Sequence, residues 1–125
     1  MLLFGGMMAA RRAPNGLKPQ WFQILLALGD QDLHGLEIMN EVLERTEGRM
    51  HLWPGQLYGS MKSLVDAGYV VEVQQPPTSE HGGGRPRYYS ITEAGRRVLV
   101  DEVNRLARLV DAARSKNLVK GSETP

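Results

Sequence analysis

Apolar residues first recur at helical spacing just after Pro19. Trp21, Leu25 and Leu28, flanked by Phe22 and Leu26, trace one face and stop at Gly29, which predicts a first helix with Pro19 in its opening turn. Asp30-Gln31-Asp32 reads as a polar turn. Leu36, Met39, Val42 and Leu43 then recur three and four residues apart as far as Gly48, predicting a second helix with that glycine just past its end. Pro54 opens a third helix, whose inward stripe is Leu57, Met61, Leu64 and Val65 and whose stop is Gly68. The β-prone runs Tyr69-Val70-Val71-Glu72-Val73 and Tyr88-Tyr89-Ser90-Ile91 flank a Pro/Gly/Ser-rich connection from Gln74 to Arg87, so they read as a hairpin with a long tip. Thr92 caps a last helix, in which Leu99, Val103, Leu106, Val110 and Ala113 step by fours and threes in an a/d-like seam.

This order predicts a mainly α fold with a small β-hairpin, a winged helix-turn-helix followed by a C-terminal dimerisation helix. An all-helical bundle with an appended hairpin is the alternative. Residues 1–16 show no apolar period and read as a flexible arm, 17–92 as a DNA-binding domain, 93–118 as the dimerisation helix and 119–125 as a flexible tail. The winged plan is preferred because helix three carries small polar groups on its outer side and the hairpin tip carries cations, the two features that a groove-binding element needs.

Composition removes several classes. The 125 residues contain no cysteine, which excludes disulfides, thiol catalysis and Cys-ligated zinc. The fractions of 42% hydrophobic and 23% charged residues are ordinary for a globular protein. No apolar stretch reaches the ~20 residues that span a bilayer, and Arg11 and Arg12 follow rather than precede the apolar Met1 to Phe4, the wrong order for a secretory signal. A cytoplasmic protein without membrane contact is expected. The net charge of +1 is segregated: residues 1–18 carry +3, 19–50 carry −4, 51–92 are neutral and 93–125 carry +2. Charge alone therefore announces no nucleic-acid binder, and such a reading rests on the placement of Lys62, Arg85 and Arg87.

Three stretches carry a family likeness. They are His34-Gly35-Leu36-Glu37-Ile38, Pro54-Gly55-Gln56-Leu57-Tyr58, and the run Gly84-Arg85-Pro86-Arg87-Tyr88-Tyr89-Ser90-Ile91-Thr92-Glu93-Ala94-Gly95. In order and spacing they resemble the PadR family of bacterial transcriptional regulators over roughly residues 17–100. The resemblance implies DNA-binding homodimers, built from a winged-helix domain and a C-terminal dimerisation helix and often controlled by small aromatic or cationic compounds. Two positions depart from the family pattern: Leu36 stands where a Tyr is common, and Trp53 where a Ser or Asp commonly precedes Pro-Gly. Trp53 cannot accept the capping hydrogen bond of a Ser, which forgoes ~1 kcal/mol.

Helix three is the candidate recognition element. Pro54 and Gly55 leave its first N–H groups uncrowded for phosphate, Gln56 suits a bidentate contact to adenine, and Tyr58, Ser60 and Lys62 suit phosphates. In the wing, Arg85 and Arg87 beside Gly82-Gly83-Gly84 and Pro86 suit phosphate or a narrow minor groove. His34, His51 and His81 have no zinc spacing, and His34 is expected to pack and to bond backbone at the start of helix two; no metal or cofactor is expected. No nucleophile motif occurs, so no enzymatic activity is expected. Trp21, Leu99, Val103, Leu106 and Val110 are the candidate dimer contacts. The reading is a homodimeric regulator on a palindromic operator of double-stranded DNA, a repressor with a small aromatic effector as a further candidate partner; Trp21 reads first as core packing, with the wall of an effector pocket between subunits as the alternative. A winged-helix module binding protein instead of DNA is the alternative.

Overall fold

The computed structural model describes residues 16–74 and 87–121. The arm expected before Gly16, the wing tip with His81 and Arg85, and the last residues of the expected tail lie outside that description. Helix α1 runs Pro19–Ala27, strand β1 Leu33–His34, α2 Gly35–Arg45, α3 Pro54–Asp66, β2 Val70–Val73, β3 Tyr88–Ile91 and α4 Glu93–Ser115. The strands form one antiparallel sheet in the order β1-β3-β2. Val70 faces Ile91 and Val73 faces Tyr88 across the hairpin. On the other edge of β3, Leu33 faces Tyr89 and His34 faces Tyr88. The two-residue strand β1 was not expected; it ties the turn before α2 to the wing.

The core explains each element's phase. Ile24, Leu25 and Leu28 of α1 and its C-cap, Ile38 and Val42 of α2, Leu57, Met61 and Leu64 of α3, and Leu52 and Val70 are all nearly inaccessible to water, each burial stabilising by ~1.5–3 kcal/mol. Two stripe positions differ from expectation. Leu36 is exposed, because the buried row of α2 is Gly35, Ile38 and Val42; Val65 likewise lies outside the α3 row of Leu57, Met61 and Leu64. Gly48 and Gly68 both take positive φ just past a helix end, as the left-handed position requires.

The chain is locked at three joints. His34 caps α2: its Nδ1 accepts the Glu37 N–H (3.3 Å), and Glu37 Oε1 accepts the His34 N–H (3.0 Å), a reciprocal box of the kind usually made by Ser or Thr. The His34 ring then meets Tyr88 edge-on at 5.2 Å. Thr92 caps α4 by accepting the Gly95 N–H (3.0 Å), and its hydroxyl donates to the Gly68 carbonyl (2.7 Å). Gly95 is required there, because a Cβ would collide with the Tyr69 carbonyl oxygen and stand 3.0 Å from Ile91 Cγ1. At the third joint, Arg105 binds the buried Glu102 carboxylate with two bonds of 2.9 and 2.7 Å. The backbone of Leu17 bonds the same carboxylate, and the guanidinium holds its pKa below the usual range.

Candidate nucleic-acid interface

Helix α3 is two-sided. Leu57, Ser60, Met61 and Leu64 face the core, while Gly55, Gln56, Gly59, Lys62 and Ser63 are exposed. A Cβ at Gly55 or Gly59 would meet nothing within 4 Å, so the backbone itself forms part of this outer surface. The sequence places Gly55 at the uncrowded helix start and Gly59 and Ser63 among the small residues of the outer side, and all three are exposed on the side opposite Leu57 and Leu64.

The candidate residues on α3 divide. Gln56 is exposed, but its Oε1 accepts the Trp53 N–H at 3.1 Å, so the side chain completes the helix start that the indole cannot cap. Its amide N–H groups and the second lone pair of Oε1 are outside that bond. Tyr58 is half exposed, with its hydroxyl and Cζ lodged against Gly35. Lys62 points into solvent and pairs with Asp66 at 3.2 Å. Ser60 corrects the expected set: it is 8% exposed, and its hydroxyl donates to Gln20 Oε1 on α1. It lies three residues after Leu57 and one before Met61, so helical phase turns it inward despite its polarity.

In the wing, Arg87 is exposed, with its Nε 3.7 Å from Glu72 Oε2 across the hairpin. Tyr89 lies behind it, and burial raises the pKa of the phenol while its hydrogen bond with Arg87 lowers it less. An exposed pair in water contributes little, so Arg87 exchanges Glu72 for another anion at small cost.

The expected dimer residues also divide. Leu99 is 6% exposed and belongs to the hydrophobic core of this chain, because the first turns of α4 lie on α1. Arg96, on the same turns, donates to the Gly29 carbonyl at 2.9 Å. Leu99 is thereby removed from the expected seam. Val103 and Val110 are exposed, Leu106 is half-buried, and Val100 and Leu109 add apolar surface nearby. Trp21 packs partly against the core with Lys18 Nζ 5.4 Å from its ring.

An open cleft of about 440 Å³ lies at the end of α2 between Gln23, Arg45, Thr46, Glu47, Arg49 and Met50. Its Arg45 is already bound to Gln23 and Glu41. Among the described residues no three His, Asp or Glu side chains converge as metal ligands, and no helix is long and apolar enough to cross a membrane.

The chain is similar to a 37.1 kDa protein in transposon TN4556 of Streptomyces fradiae, with 40% identity over 86 residues. That match covers 69% of this chain and 22% of the relative, so the chain spans about a fifth of that protein's length. Among solved structures, a PadR family transcription regulator from Clostridium difficile superposes with a TM-score of 0.65 at 21% identity, covering 78% of this chain and 97% of that one. Bacillus subtilis PadR in complex with operator DNA gives 0.58 at 21% identity, over 67% of this chain and 46% of that one. These two likenesses establish the winged-helix fold. The sequence pattern of the PadR-like transcriptional regulators, a family of regulators and not of enzymes, matches residues 24–101, from the core of α1 through α2, α3 and the wing into α4. The capped His34-Gly35 start of α2, the outward face of α3 and the Thr92-Gly95 joint all fall inside that match, and the chain belongs to the PadR-like family of transcriptional regulators.

Proposed function

We propose that the chain is a homodimeric, sequence-specific DNA-binding regulator that represses transcription by occupying a palindromic operator. The observation that carries this reading is the two-sided α3, whose exposed side holds Gly55, Gln56, Gly59, Lys62 and Ser63, with nothing among the described residues within 4 Å of a Cβ at either glycine. A helix of this kind enters a major groove, with backbone close to the bases where side chains are absent. Residues 17–92 form the DNA-binding unit, Gln56 reads a base, and Tyr58, Lys62, Arg85 and Arg87 hold phosphates. Residues 93–118 form the dimerisation helix, through Val103, Leu106 and Val110. Two copies then present their α3 helices to half-sites ~10 bp apart. A small aromatic effector bound between subunits near Trp21 releases the DNA by favouring another angle between the heads.

The pairing of Lys62 with Asp66 and of Arg87 with Glu72 supports a second reading, a winged-helix module that binds protein. Selection of bound fragments from the source genome, followed by affinity measurement over a range of salt concentrations, separates the two. Enrichment of one palindrome with a steep salt slope supports the regulator. Failure to retain any duplex, even at low salt, supports the protein-binding module.

A further inference from the structure

Trp53 stands at the N-cap of α3 with 59% of its surface exposed, directly after Leu52, which is buried. Its position is fixed from three sides. The backbone N–H is held by Gln56 Oε1, the carbonyl accepts the Leu57 N–H at 2.8 Å, and the indole stacks on the His51 ring at 3.9 Å with 23° between planes. An exposed tryptophan is thus ordered in advance at the leading end of the helix proposed to enter the groove, with one face covered by His51 and the other open.

The chemistry of that surface narrows what it fits. An indole offers a broad apolar face and a single N–H donor, with no acceptor. Base edges in the major groove carry donors and acceptors that would lose water against it, and the 5-methyl of thymine is the one apolar group displayed there. The partner must also lie near the base pair faced by Gln56, since the Gln56 amide is bonded to the Trp53 backbone.

We propose that Trp53 is a specificity-determining residue, its indole packing on the 5-methyl group of one thymine per half-site beside the base pair faced by Gln56. This rests on the DNA-binding function proposed above. The His51 ring backs the indole, so that little side-chain freedom remains to be lost on binding.

The test replaces each thymine of the selected operator in turn by uracil, which removes only the methyl group, and measures affinity at one salt concentration for the native chain, Trp53→Ala and Trp53→Phe. Burial of one methyl is worth about fourfold. Uracil at one position should therefore weaken the native chain about fourfold per half-site, and not weaken Trp53→Ala, while Trp53→Phe keeps part of the discrimination. Circular dichroism should show the native helix content in both variants, because the capping bond uses the Trp53 backbone. Equal uracil effects in native chain and Trp53→Ala would overturn the assignment, as would the absence of any sensitive thymine. Loss of equal size on operator and random DNA for Trp53→Ala would assign the indole to sugars and overturn it too. Native chain that binds no duplex at any salt concentration would overturn the DNA-binding reading itself, and this contact with it.

Discussion

Gly35 and Tyr58 interlock. A Cβ on Gly35 would collide with the Tyr58 hydroxyl, stand 2.9 Å from its Cζ and 3.2 Å from Leu57 Cδ2, so an alanine at the first residue of α2 displaces the end of the Tyr58 side chain. Overpacking of this kind costs ~1–3 kcal/mol. Gly35→Ala should lower the unfolding free energy by about that amount, and Tyr58→Ala in the same chain should recover a large part. Additive losses in a denaturant double-mutant cycle would show that the two residues do not constrain each other.

The Gln56 side chain has two tasks that substitutions can separate. Gln56→Ala removes the bond to the Trp53 N–H and should cost ~0.5 kcal/mol of stability, the low end for a cap. It should also cost ~1–3 kcal/mol of operator affinity with random DNA bound as before. Gln56→Glu keeps an acceptor for the cap, where a negative charge suits the helix start, but has no donor. Its stability should stay native, while its base preference at one position per half-site moves from adenine toward cytosine. Equal losses on operator and random DNA for Gln56→Ala would assign this side chain to the backbone.

In the wing, Arg87 is held by Glu72 at 3.7 Å in the free protein, and both are exposed. Arg87→Ala should weaken operator and random DNA alike and reduce the slope of log affinity against log salt by ~1. Glu72→Gln removes the competing carboxylate and should raise affinity for both DNAs. An Arg87→Ala variant with native affinity and slope at low salt removes Arg87 from the interface.

The elements were legible wherever apolar spacing was long and ended in Gly or Pro. β1 was not, because two residues show no alternation and its partner strand lies more than fifty residues on. Ser60 and Leu99 show how residue type misleads where phase decides. Polarity places Ser60 outward, yet its step from Leu57 turns it to Gln20. The a/d row of the last helix does not state which helix it faces, and α1 of this chain claims its first member, Leu99. Trp53 was legible as a missing cap, but its stacking on His51 depends on the path of Leu52 and the loop before α3. His34 is the opposite case: the expected backbone bond at the helix start is present, extended by Glu37 into a full box.

Acid should loosen the joint between α4 and the segment leading into α1, where the Glu102 carboxylate meets Arg105 and the Leu17 backbone. The Glu102 carboxyl has a folded pKa below its ordinary value of 4.5, first because Arg105 bonds it and then because its charge attracts it, with burial opposing. A depressed folded pKa means that the contribution is complete above the ordinary carboxylate value and is lost as pH falls through the lowered one. The native chain should therefore lose its stability advantage over Glu102→Gln below about pH 4.5, as urea midpoints measured from pH 7 to pH 3 will show. A constant difference between the two chains across that range would contradict the pairing.

The last helix separates folding from association. Leu99 is buried within this chain while Val110 is 42% exposed, although the a/d spacing places both in one seam. At 23 residues, α4 extends ~35 Å, and its last turns lie beyond the turns that rest on α1. If Val103, Leu106 and Val110 meet a second copy, Val110→Glu buries a carboxylate in the dimer alone. It should sediment as a folded monomer with native helix content and bind one half-site nearly as well as the native chain, while binding to the palindrome falls steeply. Leu99→Ala should do the reverse, lowering the unfolding free energy by ~2–5 kcal/mol through a cavity in the head without selective dissociation. A dimeric Val110→Glu chain would refute this surface, and a Leu99→Ala chain that dissociates while the head keeps its stability would return Leu99 to the seam.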